Sequence, residues 1–183
     1  AAADGAPVLW DELGSNLAFA ESQTWGDVDA VFAAADRVIT RRFVQHRYTH
    51  APMEPRCSVA TYERGSLLYE ASHKRPHPMK MNIGALLGIP FPDVRVVARD
   101  IGGGFGSKGQ VTREDVAVCA AARIVGGSVR WLETRSENLL TAGHAREETL
   151  ELDYAVEPDG RVRGVRVRMT LDAGAYPMLP FPP

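Results

Sequence analysis

The spacing of apolar positions divides the chain into short elements of changing type. Asp27 to Asp36 puts Val28, Val31, Phe32 and Ala35 at the i, i+3, i+4, i+7 spacing of one helical face. Val38 to Tyr48 then alternates with charged and polar partners, the period-two pattern of a strand. His50-Ala-Pro-Met-Glu-Pro-Arg56 holds two prolines, which bias the residue before each toward extended backbone, so a stiff loop is expected. A hairpin should follow: a strand from Ser58 to Tyr62, a turn at Arg64-Gly65 and a return strand from Ser66 to Ala71. Ser72 to Pro78 reads as an irregular, positively charged link. Met79, Ile83, Leu86 and Leu87 suit one face of a helix that Gly88 would stop, and Ile89-Pro-Phe-Pro92 cannot continue it.

The alternation resumes at Val94 and Val96 and runs into Gly102, Gly103, Gly104 and Gly106, interrupted by Phe105. Beyond this loop, Thr112 is a suitable N-cap with Asp115 at N3 for an alanine-rich helix to about Val125, stopped by Gly126-Gly127. Val129 to Glu133 reads as a strand and Ser136 to Leu140 as a short helical turn. Two long alternating strands close the pattern, Glu147 to Val156 and Arg161 to Asp172, joined by the turn Glu157-Pro-Asp-Gly160. Hairpins mixed with strand-loop-helix-strand units predict an α+β fold with a mixed sheet and packed helices. Residues 1–26 show no period and are expected to be an extended arm, leaving 27–183 as the folded region.

Composition narrows the function. With 183 residues, 45% of them apolar, the chain suffices for an ordinary domain with a core. Twenty-one Lys plus Arg against 23 Asp plus Glu leave no electrostatic footprint for nucleic acid. Cys57 and Cys119 form no CxxC and read as small buried apolar residues of a reduced, cytoplasmic protein. No apolar run reaches membrane-spanning length, and the first residues are too polar for a signal peptide. The chain starts without Met and ends in PMLPFPP, and both ends read as cuts.

The glycine loop carries the chemistry. Each glycine costs roughly 1 kcal/mol of ordering relative to alanine, so four within five positions point to close approach of a ligand to the main chain. Gly104, Gly106 and Gly109 satisfy GxGxxG, with Glu133 placed to bind a ribose. That dinucleotide reading is weakened because Lys108, Gln110 and Val111 separate the glycines from the helix. A P-loop fails, since Lys108 is followed by Gly109. Close packing alone remains a third reading. His46 with His50 and His73 with His77 have a helical ligand spacing but fall on expected strand or loop. Glu54, Glu133 and Glu137 are candidate buried acids, Glu133 as an ion pair with Arg135. Trp10, Trp25 and Trp131 are expected as core or arm anchors.

DIGGGFGSK, preceded by LLGIPFPDVRVV and followed by an Ala-rich helix, RWLETRSENL and DAGAY, resembles the molybdopterin-binding large subunit of the xanthine dehydrogenase, aldehyde oxidase and aerobic carbon monoxide dehydrogenase family. GDVDAVFAAADRV and HAPMEPRCSVATY resemble segments that open its first molybdopterin-binding domain. The resemblance implies that Gly103, Gly104, Phe105 and Gly106 lie beside the molybdenum centre, with backbone amides turned to its oxo surroundings. It also implies that Lys74 stands where the family has a glutamine near an oxo ligand.

Lysine there brings a charge in place of a neutral amide, to pair with an anionic cofactor or a carboxylate substrate or to point into solvent. Gly109 stands where purine-oxidising relatives carry a Glu, which disfavours a purine and leaves an aldehyde, carbon monoxide or a small heterocycle. The family's catalytic base and most pterin contacts would lie beyond Pro183. The implied whole is a hydroxylase using water-derived oxygen, with molybdenum–molybdopterin, the cytosine dinucleotide form included. Its electrons would leave through iron–sulfur clusters and FAD on partner subunits or domains, in an oligomer with the rest of the large subunit. A non-catalytic assembly module is the other reading, and the dinucleotide-binding domain a third.

Overall fold

The structure, a computed structural model, describes residues 5–174. The last two residues of DAGAY, Ala175 and Tyr176, and PMLPFPP lie outside the described residues. The chain divides into two compact units: Ala1–His46 with Arg146–Pro183, and Arg47–Ala145.

The first unit is a three-stranded antiparallel sheet with one short helix. Asp27 caps α1 (Val28–Ala33), its carboxylate accepting from the Ala30 N–H at 3.0 Å. β1 (Arg37–Gln45), β8 (Glu148–Val156) and β9 (Val162–Leu171) lie in the order β1-β8-β9. The 157–160 turn closes as expected, with Gly160 at φ 87°. Val31 and Phe32 of α1 press on β9 at Gly164, where a Cβ would come within 2.8 Å of the Val31 side chain. Residues 5–26 hold a single 3-10 turn, Asp11–Leu13, and Trp25 is 78% exposed rather than buried as an anchor.

The second unit is a four-stranded mixed sheet with two helices on one face. Its strands are β3 (Cys57–Glu63), β4 (Ser66–Ala71), β5 (Val94–Val97) and β6 (Ser128–Leu132), ordered β5-β4-β3-β6. β3 is antiparallel to β4 and β6, while β4 and β5 run parallel, joined across α2 (Pro76–Leu87). α2 starts earlier than its apolar spacing suggested because Pro76 is tolerated in the first turn, where its missing N–H is no loss. Met79, Ile83 and Gly84 are its buried residues; Leu86, expected on that face, is 65% exposed. Thr112 and Asp115 form the expected capping box of α3 (Arg113–Val125). Ala60, Leu67, Tyr69, Met79, Ile83, Val94, Val118, Cys119 and Ala122 make the core between sheet and helices. The Tyr69 hydroxyl, buried there, donates to Asp115 at 2.5 Å, and burial pushes the phenol pKa up.

Two short strands were not legible, and one helix starts earlier than expected. β2 (Tyr48–Thr49) and β7 (His144–Ala145) pair with each other, so the strand expected to run through Tyr48 breaks after Gln45. α4 (Arg135–Thr141) begins one residue before the expected turn because Thr134 and Glu137 form a second capping box.

Candidate cofactor site

The mixed sheet brings four chain segments to one end. β4, β5 and β6 all finish there, and the antiparallel β3 starts there, so the loops at 50–56, 72–75 and 98–111 and the stretch after Leu132 converge. In open sheets this end, beyond the carboxyl ends of parallel strands, is where ligands bind.

The glycine loop is fixed from below by Glu54. Its N–H donates to the Gly102 carbonyl at 3.1 Å, and its carboxylate accepts from the Gly102 N–H at 3.0 Å and the Lys108 ammonium at 2.5 Å. A Cβ on Gly102 would sit 2.6 Å from that of Glu54, so only glycine admits this approach. The Lys108 side chain is fully buried. The sequence pattern sets Lys108 only against a dinucleotide fold and a P-loop and gives no sign of this burial. Burial opposes the Glu54 charge, but the Lys108 and Gly102 hydrogen bonds outweigh it and hold its carboxyl below the ordinary range.

Above this latch the main chain turns sharply. Phe105 and Gly106 have φ of 50° and 105°, and Ser107 closes the turn by donating from both N–H and hydroxyl to the Gly104 carbonyl at 2.9 and 2.8 Å. Among the described residues, the N–H groups of Gly104, Phe105 and Gly106 have no acceptor, although Gly104 is buried. The His50 ring stands 3.2 Å from where a Gly106 Cβ would be, and the Lys74 Cε 2.6 Å from that of Gly104. Lys74 is anchored through its N–H to the Lys108 carbonyl at 2.9 Å. The sequence-chosen residues Lys74, Gly103, Gly104, Phe105 and Gly106 therefore come together, joined by Glu54, Lys108 and His50.

A second network braces the 50–56 loop. Glu133 accepts from the Arg56 guanidinium at 2.5 and 3.0 Å, from the Arg56 N–H at 2.9 Å and from Asn138 at 2.8 Å. Burial raises the Glu133 pKa, but the Arg56 hydrogen bonds outweigh this and hold the carboxyl below the ordinary range. The expected Glu133–Arg135 pair is thus replaced: Arg135 donates to the main-chain carbonyls of Pro52 and Met53. With both oxygens engaged, Glu133 cannot serve a ribose, and α3 opens on its own Thr112 box rather than on the glycines. The dinucleotide reading loses both its supports. The His73 ring is likewise committed, Nε2 donating to the Gln110 carbonyl at 3.1 Å and Nδ1 accepting from the Arg75 N–H at 3.0 Å. Among the described residues, no three His, Cys, Asp or Glu gather as metal ligands.

Fold and site together define an α+β domain with acceptor-free main-chain donors at the end of a mixed sheet. The chain belongs to the molybdopterin cofactor-binding domain family, which matches residues 9–182. It is 36% identical to the large subunit of nicotine 6-hydroxylase from Paenarthrobacter nicotinovorans, over 96% of this chain and 22% of that one. It is 33% identical to the carbon monoxide dehydrogenase large chain of Hydrogenophaga pseudoflava, over 93% and 23%. Among solved structures, quinoline 2-oxidoreductase from Pseudomonas putida 86 matches with a TM-score of 0.73 at 34% identity, covering 82% of this chain and 19% of its own. The chain spans less than a quarter of the length of these relatives. Molybdopterin presents anionic oxygens, and the loop's residues fit that group: three N–H donors without acceptors, and a cation, Lys74, lying over the first of them at Gly104.

Proposed function

We propose that this chain supplies one wall of the molybdenum cofactor site in the large subunit of a molybdenum hydroxylase. In this reading residues 27–183 are part of the cofactor-binding domain and residues 1–26 an arm before it. Gly103, Gly104, Phe105, Gly106 and Lys74 are the cofactor contacts. The observation that carries the reading is the run of acceptor-free N–H groups at Gly104–Gly106, held in place by the link from the buried Lys108 to the half-buried Glu54.

When bound, molybdenum–molybdopterin would supply the redox chemistry of hydroxylation with water-derived oxygen. The chain's own part is positioning and electrostatics. Main-chain N–H groups stabilise an anionic oxygen without titrating, and because Glu54 and Ser107 fix the turn beforehand, no reorganisation is needed when charge develops. Phe105, 69% exposed, adds an apolar surface beside those donors. The substrate is a small aldehyde, carbon monoxide or a nitrogen heterocycle; the relatives' names span nicotine, carbon monoxide and quinoline. Iron–sulfur and flavin partners in a cytoplasmic oligomer complete the reading. Among the described residues no helix is long and apolar enough to cross a membrane.

Metal analysis of the full-length large subunit tests this. About one molybdenum per subunit is expected, with Gly104→Val losing it while the melting transition persists, since Gly104 stands outside the hydrophobic core. A wild-type subunit free of molybdenum, or a Gly104→Val subunit with full content, would overturn the assignment.

A further inference from the structure

Lys74 places a charge where nothing in the chain calls for one. Its main chain is pinned by the hydrogen bond to Lys108, and the buried His73 before it is fixed at both ring nitrogens. The side chain thus leaves a rigid base and lies across Gly104, with Nζ 3.2 Å and Cε 2.6 Å from the position of a Gly104 Cβ. The loop's other lysine, Lys108, is neutralised by Glu54. Lys74 has no acceptor among the described residues, and neither has the neighbouring Arg75 side chain. An exposed ammonium with no protein acceptor therefore stands over Gly104, the first of the three main-chain donors.

The two kinds of donor do different things. A main-chain N–H donates to a carbonyl oxygen or an anionic oxygen alike. An ammonium discriminates, because a hydrogen bond between ions is about twice as strong as one between neutral groups. The excess positive charge at Lys74 and Arg75 points the same way, since no acid on the 72–75 or 102–109 segments offsets it.

We propose that Lys74 is a ligand-selecting residue whose ammonium pairs with an anionic oxygen presented at the Gly104 edge of the loop. This rests on the cofactor-site reading above. The oxygen belongs either to a carboxylate on the substrate or to the cofactor, and two measurements separate these sources.

The full-length enzyme is compared with its Lys74→Gln and Lys74→Arg variants. In the first measurement, calorimetry follows the binding of benzoate and of its neutral counterpart benzamide. A substrate carboxylate predicts that wild type prefers benzoate by about tenfold, that Lys74→Gln removes the preference, and that Lys74→Arg keeps it. In the second, molybdenum and pterin are measured after extended dialysis. An oxygen on the cofactor predicts that Lys74→Gln loses both faster than wild type and Lys74→Arg, with little benzoate preference in any of them.

Lys74→Gln equal to wild type in both measurements overturns the inference and leaves the cofactor-site reading standing. A wild type without molybdenum sinks that reading and with it the cofactor source, and a Lys74-dependent benzoate preference in such a protein leaves only the carboxylate pairing of Lys74 standing.

Discussion

Two acid–base pairs within the Arg47–Ala145 unit set how firmly the glycine loop is held. Removing one partner of a buried pair leaves the other charge uncompensated, typically at a cost of about 3–5 kcal/mol. Glu133→Ala should approach that figure in a denaturant melt, because Arg56 and Asn138 both lose their acceptor. Lys108→Met should cost less, about 2 kcal/mol, because Glu54 keeps partial access to water. Its larger effect should be faster amide exchange from Gly102 to Gly106, and unchanged exchange there would remove Glu54–Lys108 from its latching role. Acid acts on the same groups. Glu54 and Glu133 are held below their ordinary 4.5, so their stabilisation is present above that value and is lost as pH falls through the lowered folded values. Burial holds His73 below its ordinary 6.5, so its neutral ring stabilises above 6.5 and that share declines first on acidification. Stability measured against pH should therefore start to fall just below 6.5 and fall again below 4.5, with His73→Gln removing the first step.

Among the described residues, one face of the β1-β8-β9 sheet is an exposed apolar surface. Directly paired residues point the same way, so Val165, Val167 and Met169 of β9 share a face with Tyr154, Leu152 and Leu150 of β8 and with Ile39 and Phe43 of β1. α1 packs at Gly164, on the opposite face. Val167 and Met169 are 58% and 54% exposed, and apolar surface of this extent rarely stays in water. The 183-residue chain by itself should bind the apolar dye ANS strongly. Substituting Val167→Lys and Met169→Lys together should lower the signal without changing far-ultraviolet circular dichroism; an unaltered signal would place the dye elsewhere. The alternation that betrayed these strands was plain in the sequence, but which partner would lie beside each strand was not.

For the molecule as a whole, the division into two units has a direct consequence. The Arg47–Ala145 unit is continuous in sequence and contains the whole helix–sheet core, whereas the other unit is assembled from two distant segments. Residues 47–145 expressed alone should melt cooperatively and retain the near-ultraviolet signal of Trp131, which packs against that core with the Arg56 guanidinium 5.4 Å from its ring centre. A featureless melt would mean that the core needs the discontinuous unit. Cys119, at the centre of this core, has its thiol pushed up to about 12 by burial and the Asp115 charge, so it should resist alkylation until the fragment unfolds.

By itself the sequence determined most of what depends on near neighbours, though it missed the Thr134 capping box and put Leu86 on the buried face of its helix. Helix faces, the Thr112 capping box, the Gly88 and Gly126 stops, the hairpin turns and the density of glycines before Lys108 are local patterns, in which the interacting groups lie within a few residues. The resemblance of the glycine loop added the five residues that come together at the site. What only the tertiary structure decided is pairing over long sequence separations. Glu54 meets Lys108 and Arg56 meets Glu133 because β3 starts at the end of the sheet where β5 and β6 finish, and no periodicity encodes that register. The Glu133–Arg135 pair suggested by proximity failed for the same reason: a strand end and the first residue of a helix point apart, and the deeper guanidinium of Arg56 was already there. Lys74 over Gly104 belongs to both levels, its identity legible in the chain and its uncompensated position set by the fold.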